Sequence, residues 1–206
     1  MGAPFRIAVL ISGAGSNLQA LIDSASPPVE VAAVASSRAG AGGLERARRA
    51  GVPSAVFAIG GYSDRAGRDR ALAGWLEDQR IDLVVLAGFM ELLGPDFVRR
   101  FAGRLVNVHP SLLPAFPGVG ALEQALAYGV KVLGVTVHFV DEGVDSGPIV
   151  LQEALALTYP ARIAEIKERV HRVEHRLLPR AVRLIAEGRV RFDSSNQRMV
   201  LIDDVD

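Results

Sequence analysis

Asn107, His109 and Asp145 are the residues of this chain best suited to chemistry. An amide, an imidazole and a carboxylate can polarise a carbonyl, move a proton and orient the proton carrier. Asn107 and His109 stand two apart in Asn107-Val108-His109-Pro110-Ser111-Leu112-Leu113-Pro114, so on an extended backbone their side chains point the same way. The apolar pair Leu105-Val106 precedes them and two prolines follow, which places both groups in a fixed loop at a strand end. Asp145 lies downstream in Val144-Asp145-Ser146-Gly147-Pro148, a sequence that equally suits a plain turn. As a set, the three residues fit acyl transfer better than they fit a core. Ser111 lacks the G-x-S-x-G turn of hydrolases and reads as a structural hydroxyl. His138 shares a β-branched strand with Thr136 and is read as facing the site. His171 and His175, four apart, have no evident third metal ligand, so a solvated helix face is the better reading.

A second chemical feature is Ser12-Gly13-Ala14-Gly15-Ser16-Asn17, between an apolar run and a helical pattern. Backbone N–H groups and the positive end of a helix favour an anion there, and Ser16 and Asn17 can donate to phosphate oxygens. A dinucleotide fingerprint would need a third glycine where Leu18 stands, and Ser36-Ser37-Arg38 lacks a ribose-binding carboxylate. A monophosphate fits better. The competing reading is a helix cap, with Ser16 or Asn17 satisfying backbone donors.

The elements that must position these groups alternate. Strands are expected at 6–11, 29–35, 54–58, 83–87 and 105–108, with helices from Leu18, at 44–50, at 65–79 and near 95–101. The unbroken Leu83-Val84-Val85-Leu86-Ala87 implies burial on both faces, as in a parallel sheet. Strands separated by helices imply right-handed βαβ units and a doubly wound α/β fold. Extended stretches at 131–140 and 148–157 add an antiparallel C-terminal portion. A long helix follows from Ala161 to about Glu187, with Ile163, Ile166, Val170, Val173 and Leu177 on one face and Pro179 expected to kink or divide it. A terminal hairpin is expected over 190–202. One domain is expected, with a phosphate-binding half (1–105) and a catalytic half (106–206).

The chain has 206 residues, half of them apolar, and 23 basic against 23 acidic side chains. That length buries a full core, and the zero net charge argues against bulk attraction to nucleic acid. Without cysteine there is no thiolate nucleophile, disulfide or cysteine-ligated metal. The first apolar stretch is too short for a signal peptide or membrane span, so a cytoplasmic protein is expected, with no membrane partner.

With these residues laid out, the chain resembles the phosphoribosylglycinamide formyltransferase family of the folate-dependent purine pathway from about Arg6 to Val190. The motifs are Ser12-Gly13-x-Gly15-Ser16-Asn17-Leu18, Val84-Val85-Leu86-Ala87-Gly88-Phe89-Met90, the Asn107 to Pro114 segment, Val137-His138-Phe139-Val140 and Asp145-x-Gly147-Pro148. The resemblance implies a Rossmann-like formyltransferase fold in which Gly15, Ser16 and Asn17 hold the substrate phosphate, with Glu174 near the ribose and His171 nearby. Arg65, Met90, Glu91, Leu92, Leu93, Asn107, Asp141, Glu142, Gly143, Val144 and Asp145 would line the folate pocket. It implies that the amine of glycinamide ribonucleotide attacks the formyl carbon of 10-formyltetrahydrofolate, with Asn107, His109 and Asp145 as the catalytic set and no metal. A monomer or homodimer is expected. Two departures stand out: Gly120 sits where the family has a histidine, and 158–167 lacks an acidic stretch. Gly120→His is therefore expected to raise kcat/KM modestly.

Three rival readings follow. A methionyl-tRNA formyltransferase is expected to continue into an RNA-binding domain after this core. A formyltetrahydrofolate hydrolase is expected to carry a regulatory domain before it. A non-catalytic or weakly active nucleotide- or folate-binding member is the third, with Gly120 as its sign.

Overall fold

The central parallel strands are apolar along most of their length, and their buried side chains build the core. The computed structural model describes residues 3–160 and 162–203. The strands are β1 (Phe5–Ile11), β2 (Val29–Ser36), β3 (Ser54–Val56), β4 (Leu83–Leu86), β5 (Leu105–His109), β6 (Val132–Phe139) and β7 (Ile149–Ala156). They form a mostly parallel sheet in the order β3-β2-β1-β4-β5-β6-β7, with β6 and β7 antiparallel. The expected α/β fold with an antiparallel C-terminal portion is the observed one. Two compact units divide the chain, Met1–Asn107 and Val108–Asp206.

In the first unit, α1 (Ser16–Ser24) contacts α2 (Gly42–Arg49), and α3 (Arg65–Asp78) contacts α4 (Pro95–Arg100). Right-handed crossovers and the change of direction between β1 and β4 put the two helix pairs on opposite faces. Loops leaving the carboxyl ends of β1 and β4 flank that switch point, where open α/β sheets bind ligands. All four residues of β4 are buried, as its composition demands. β3 stops at Val56, two residues before its expected end.

In the second unit, β5 runs on to His109, so the imidazole stands on the strand rather than beyond it. Helix α5 (Ala121–Tyr128) was not expected from sequence. It is brief, begins after Gly118-Val119-Gly120, and buries only Ala121, Leu122 and Ala125. The long helix α6 (Ile163–Ala186) packs on β6 and β7 through Ile166, Val170, Val173 and Leu177, while Ile163 is exposed in its first turn. Ala161, its expected start, lies outside the described residues. Pro179 does not divide it. Tertiary packing of the apolar stripe on both sides of the proline outweighs the one hydrogen bond that the ring removes. The expected terminal hairpin forms from β8 (Val190–Phe192) and β9 (Val200–Ile202).

Candidate functional site

The loop after β1 is shaped by two glycines that meet. Gly15, at φ +73°, is the N-cap of α1, and no side chain caps that helix. Ser16 and Asn17 are therefore the first two helical residues, one and two positions past the N-cap. A Cβ on Gly15 would lie 2.6 Å from the Gly43 Cα, so the absent side chain lets α1 and α2 start against each other. The sequence suggested that these glycines admit a ligand; Gly15 first admits Gly43. The Gly43 amide donates to Gly13 O at 3.1 Å, and Arg46 Nε donates to Ala14 O at 2.9 Å. Gly13, Ala14 and Gly15, on the approach to α1, are thus held against α2.

Ser12 and Ser37, which sequence reasoning passed over, lock neighbouring loops. Their hydroxyls lie 2.6 Å apart and are buried, and the Met90 amide donates to Ser12 Oγ at 2.8 Å. The 90–94 segment is tied down further by Arg68, which is fully buried in α3. Its guanidinium donates to Asp69 Oδ1 at 2.6 and 2.9 Å, to Glu91 Oε2 at 3.3 Å and to Leu92 O at 2.8 Å. Asp69 in turn accepts from the Gly94 amide at 2.7 Å. A buried arginine needs this many acceptors to be tolerated. The cluster engages Glu91 and the backbone of Leu92, while the side chains of Met90 and Leu92 stay exposed. Arg65, in the first turn of α3, lines a cavity of about 380 Å³ together with Arg70, Phe97 and Arg100. Arg68 carried no sequence signal beyond an arginine among helical residues.

The second unit assembles His109, His138 and Asp145. Asp145 Oδ2 lies 3.2 Å from His109 Nδ1 and accepts from the Gly118 amide at 2.8 Å. Its other oxygen is 3.6 Å from His138 Nε2, an ion-pair distance. His138 Nδ1 is 2.8 Å from Phe139 O, and opposite the step from Val137 to His138 the partner strand β7 carries one extra residue, Val150. The expected orientation of His138 is met. His109 Nε2 is 2.8 Å from Phe116 O. Both nitrogens of His109 thus face acceptors, a carboxylate and a carbonyl, and only the doubly protonated ring donates to both.

Burial pushes the Asp145 carboxyl up, but contact with His138, the Gly118 amide and the charges of His109 and His138 outweigh it, and the group is lowered to about 2. Asp145 also holds φ +48°. Asp tolerates the left-handed region better than most residues, yet the surroundings must hold it there.

Around the 109–114 turn, Ser111 Oγ donates to Ala115 O at 2.6 Å, and Thr136 Oγ1 donates to Ser111 O at 2.7 Å. Gln152 Nε2 donates to Leu113 O at 2.9 Å. Ser111 is accordingly the structural hydroxyl expected, and Thr136 and Gln152 are the pins that sequence reasoning missed. Asn107 precedes His109 by two residues on β5 and is half-buried. In the 141–147 loop, Asp141 accepts from the Gly143 amide at 3.0 Å and from Ser146 Oγ at 2.6 Å, while Glu142, Gly143 and Val144 are exposed. On α6, Glu174 is buried and His171 exposed, with the His171 and His175 rings stacked at 6.1 Å.

Comparison with known proteins agrees with this geometry. A family model described as formyl transferase matches residues 5–182. The chain is 47% identical over 195 residues to the human trifunctional purine biosynthetic protein adenosine-3, covering 93% of this chain but 19% of that protein. It is 42% identical to the phosphoribosylglycinamide formyltransferase of Haemophilus influenzae, covering 91% of this chain and 90% of the relative. Among solved structures, glycinamide ribonucleotide transformylase 1 from Symbiobacterium toebii superposes with a TM-score of 0.94 at 48% identity, covering 99% of this chain and 96% of that one.

Two outcomes are expected. Gly15→Ala adds left-handed strain and a backbone clash, so it should cost about 2–4 kcal/mol in denaturant unfolding; an unchanged midpoint would show that α1 and α2 separate easily. For Asp145, the folded value lies below the ordinary 3.8, so its charge stabilises the fold above about pH 4 and that contribution is lost as pH falls towards 2. The wild type should exceed Asp145→Asn by on the order of 2 kcal/mol at about pH 6 in thermal melts, with the gap closing near pH 2.

Proposed function

Since the chain belongs to the formyl transferase family, we propose that it transfers the formyl group of 10-formyltetrahydrofolate to the amine of 5′-phosphoribosylglycinamide in purine biosynthesis. The observation that carries this reading is the His109–Asp145 pair at 3.2 Å, with the carboxylate also fixed by the Gly118 amide. The chain spans 19% of the human trifunctional protein, and the further activities of that protein are not proposed for this chain.

In this reading Gly15, Ser16 and Asn17 take the phosphate at the N-terminus of α1, which no side chain caps. Glu174 and His171 contact the ribose side of the same substrate. Arg65 and residues 90–93 hold the folate, with Asp141 to Asp145. The cavity beside Arg65 supports this assignment, because the Arg65 and Arg70 guanidinium groups suit the carboxylates of a folate.

The amine attacks the formyl carbon, forming a C–N bond and an oxyanion. Asn107 and the His109 imidazolium stabilise that charge. The Nε2 proton of His109 donates to the Phe116 carbonyl, and an oxyanion is a stronger acceptor than a peptide carbonyl. Collapse breaks the bond to the folate nitrogen, which receives a proton that His109 helps to move, while the attacking amine loses one. Asp145, ionised throughout the neutral range, keeps the imidazole charged and aimed.

Purified chain supplied with both substrates should form formylglycinamide ribonucleotide, and His109→Ala should lower kcat on the order of 10²-fold. No product above background at saturating substrate would overturn the reading in favour of a non-catalytic binder. Gly120 sits at φ +72° as the N-cap of α5. A histidine there would be held in a left-handed conformation at about 1–2 kcal/mol. This revises the gain expected from sequence: Gly120→His should lower the melting temperature without raising kcat/KM.

A further inference from the structure

Asp145 stands in a loop, 141–147, that must hold a left-handed aspartate between two imidazoles. Its two ends are fixed locally. The Phe139 amide donates to Pro148 O at 2.8 Å, and Gly147 packs so closely that a Cβ on it would lie 1.9 Å from Phe139 O. The middle of the loop is exposed at Glu142, Gly143 and Val144. What bears on it from outside is the C-terminal hairpin. Arg198, between β8 and β9, donates through Nη2 to the carbonyl of Ser146 at 2.7 Å, across 52 residues of chain. Phe192, at the end of β8, packs its ring 4.9 Å from that of Phe139, the residue from which the loop departs. β9 also contacts β7, so the hairpin is anchored on the sheet that carries the loop.

The hairpin itself lies beyond the matched family segment, which stops at residue 182. We infer that the C-terminal hairpin is a positioning element for formyl transfer, in which Arg198 holds the Ser146–Gly147 peptide of the loop and Phe192 braces Phe139, keeping the carboxylate on His109. The inference rests on the catalytic reading of Asp145 given above.

The geometry sets what each contact does. The Ser146 carbonyl belongs to the Ser146–Gly147 peptide, one peptide beyond the one that follows Asp145, so anchoring it limits how far the loop can carry Asp145 from His109. Phe139 carries the carbonyl that engages His138 Nδ1, so bracing this residue steadies the second imidazole on the same carboxylate. An arginine suits the first task because its planar fork loses little freedom per hydrogen bond formed. Misplacement of an orienting group by a fraction of an ångström affects the reacting complex more than the binding of either substrate.

The test uses the full chain, comparing wild type with Arg198→Ala, Arg198→Lys, Phe192→Ala and Asp145→Asn. Arg198→Ala should lower kcat about tenfold, with KM for both substrates changed less than about twofold, because only the orientation of the catalytic pair is loosened. Arg198→Lys, which retains a donor of similar reach, should recover most of that loss, and Phe192→Ala should lower kcat in the same sense. A purely structural hairpin would instead lower the melting temperature and leave kcat of the folded fraction unchanged. Wild-type kcat in Arg198→Ala, or equal losses in the alanine and lysine variants, overturns the role of the hairpin if Asp145→Asn is impaired. Wild-type kcat in Asp145→Asn overturns the catalytic reading itself, and this inference with it.

Discussion

One carboxylate shared by two imidazoles and one backbone amide organises the second unit. Asp145 can be deeply placed and still ionised only because His109, His138 and Gly118 together outweigh the burial that opposes its charge. That requirement propagates outward. Asp145 must adopt φ +48°, Gly147 must lack a side chain, Gly118 must turn its amide inward at φ +81°, and β7 carries an extra residue opposite His138. Each is a local departure from ordinary backbone preference, and they converge on a single oxygen pair. Strain of this kind persists where surrounding structure over-determines it.

The first unit meets a related constraint with a cation. Arg68 has no exposed surface, and its charge is balanced by Asp69 and Glu91 and by the Leu92 carbonyl. A buried arginine contributes little net stability compared with an apolar residue, but it imposes direction, because each partner must present an acceptor. Two of those partners, Glu91 and Leu92, follow β4, so the charge fixes a loop that no regular hydrogen bonding would fix. The Ser12–Ser37 hydroxyl pair does the same at the neighbouring strand ends. Both units therefore hold the loops after their strands with buried polar contacts, while the strands are held by apolar packing.

Repetition made the sheet legible. Long β-branched and leucine-rich runs spaced by helical patterns carry the same message many times over, and strand type, order of elements and the antiparallel C-terminal portion could be read from it. Features that depend on one residue were read less well. Helix α5 has too short an apolar stripe to register, and Pro179 promised a division that packing along α6 prevents. Gly120 looked like a missing side chain in the sequence; its positive φ makes it a glycine that the start of α5 uses.

By itself, the sequence determined the fold class and the identity of the polar groups, because side-chain type and spacing are local properties of the chain. His109, Asp145, Gly15 and Asn17 could all be singled out from motifs of a few residues. Tertiary structure alone decided which partners each group meets. That Gly15 leaves room for Gly43, that Arg68 disappears beneath 90–94, that His138 turns to Asp145, and that Arg198 reaches Ser146 across 52 residues are long-range facts. No local pattern encodes them, since a hydrogen bond between distant residues leaves no periodicity in the sequence; it exists only once the backbone has been brought around to form it.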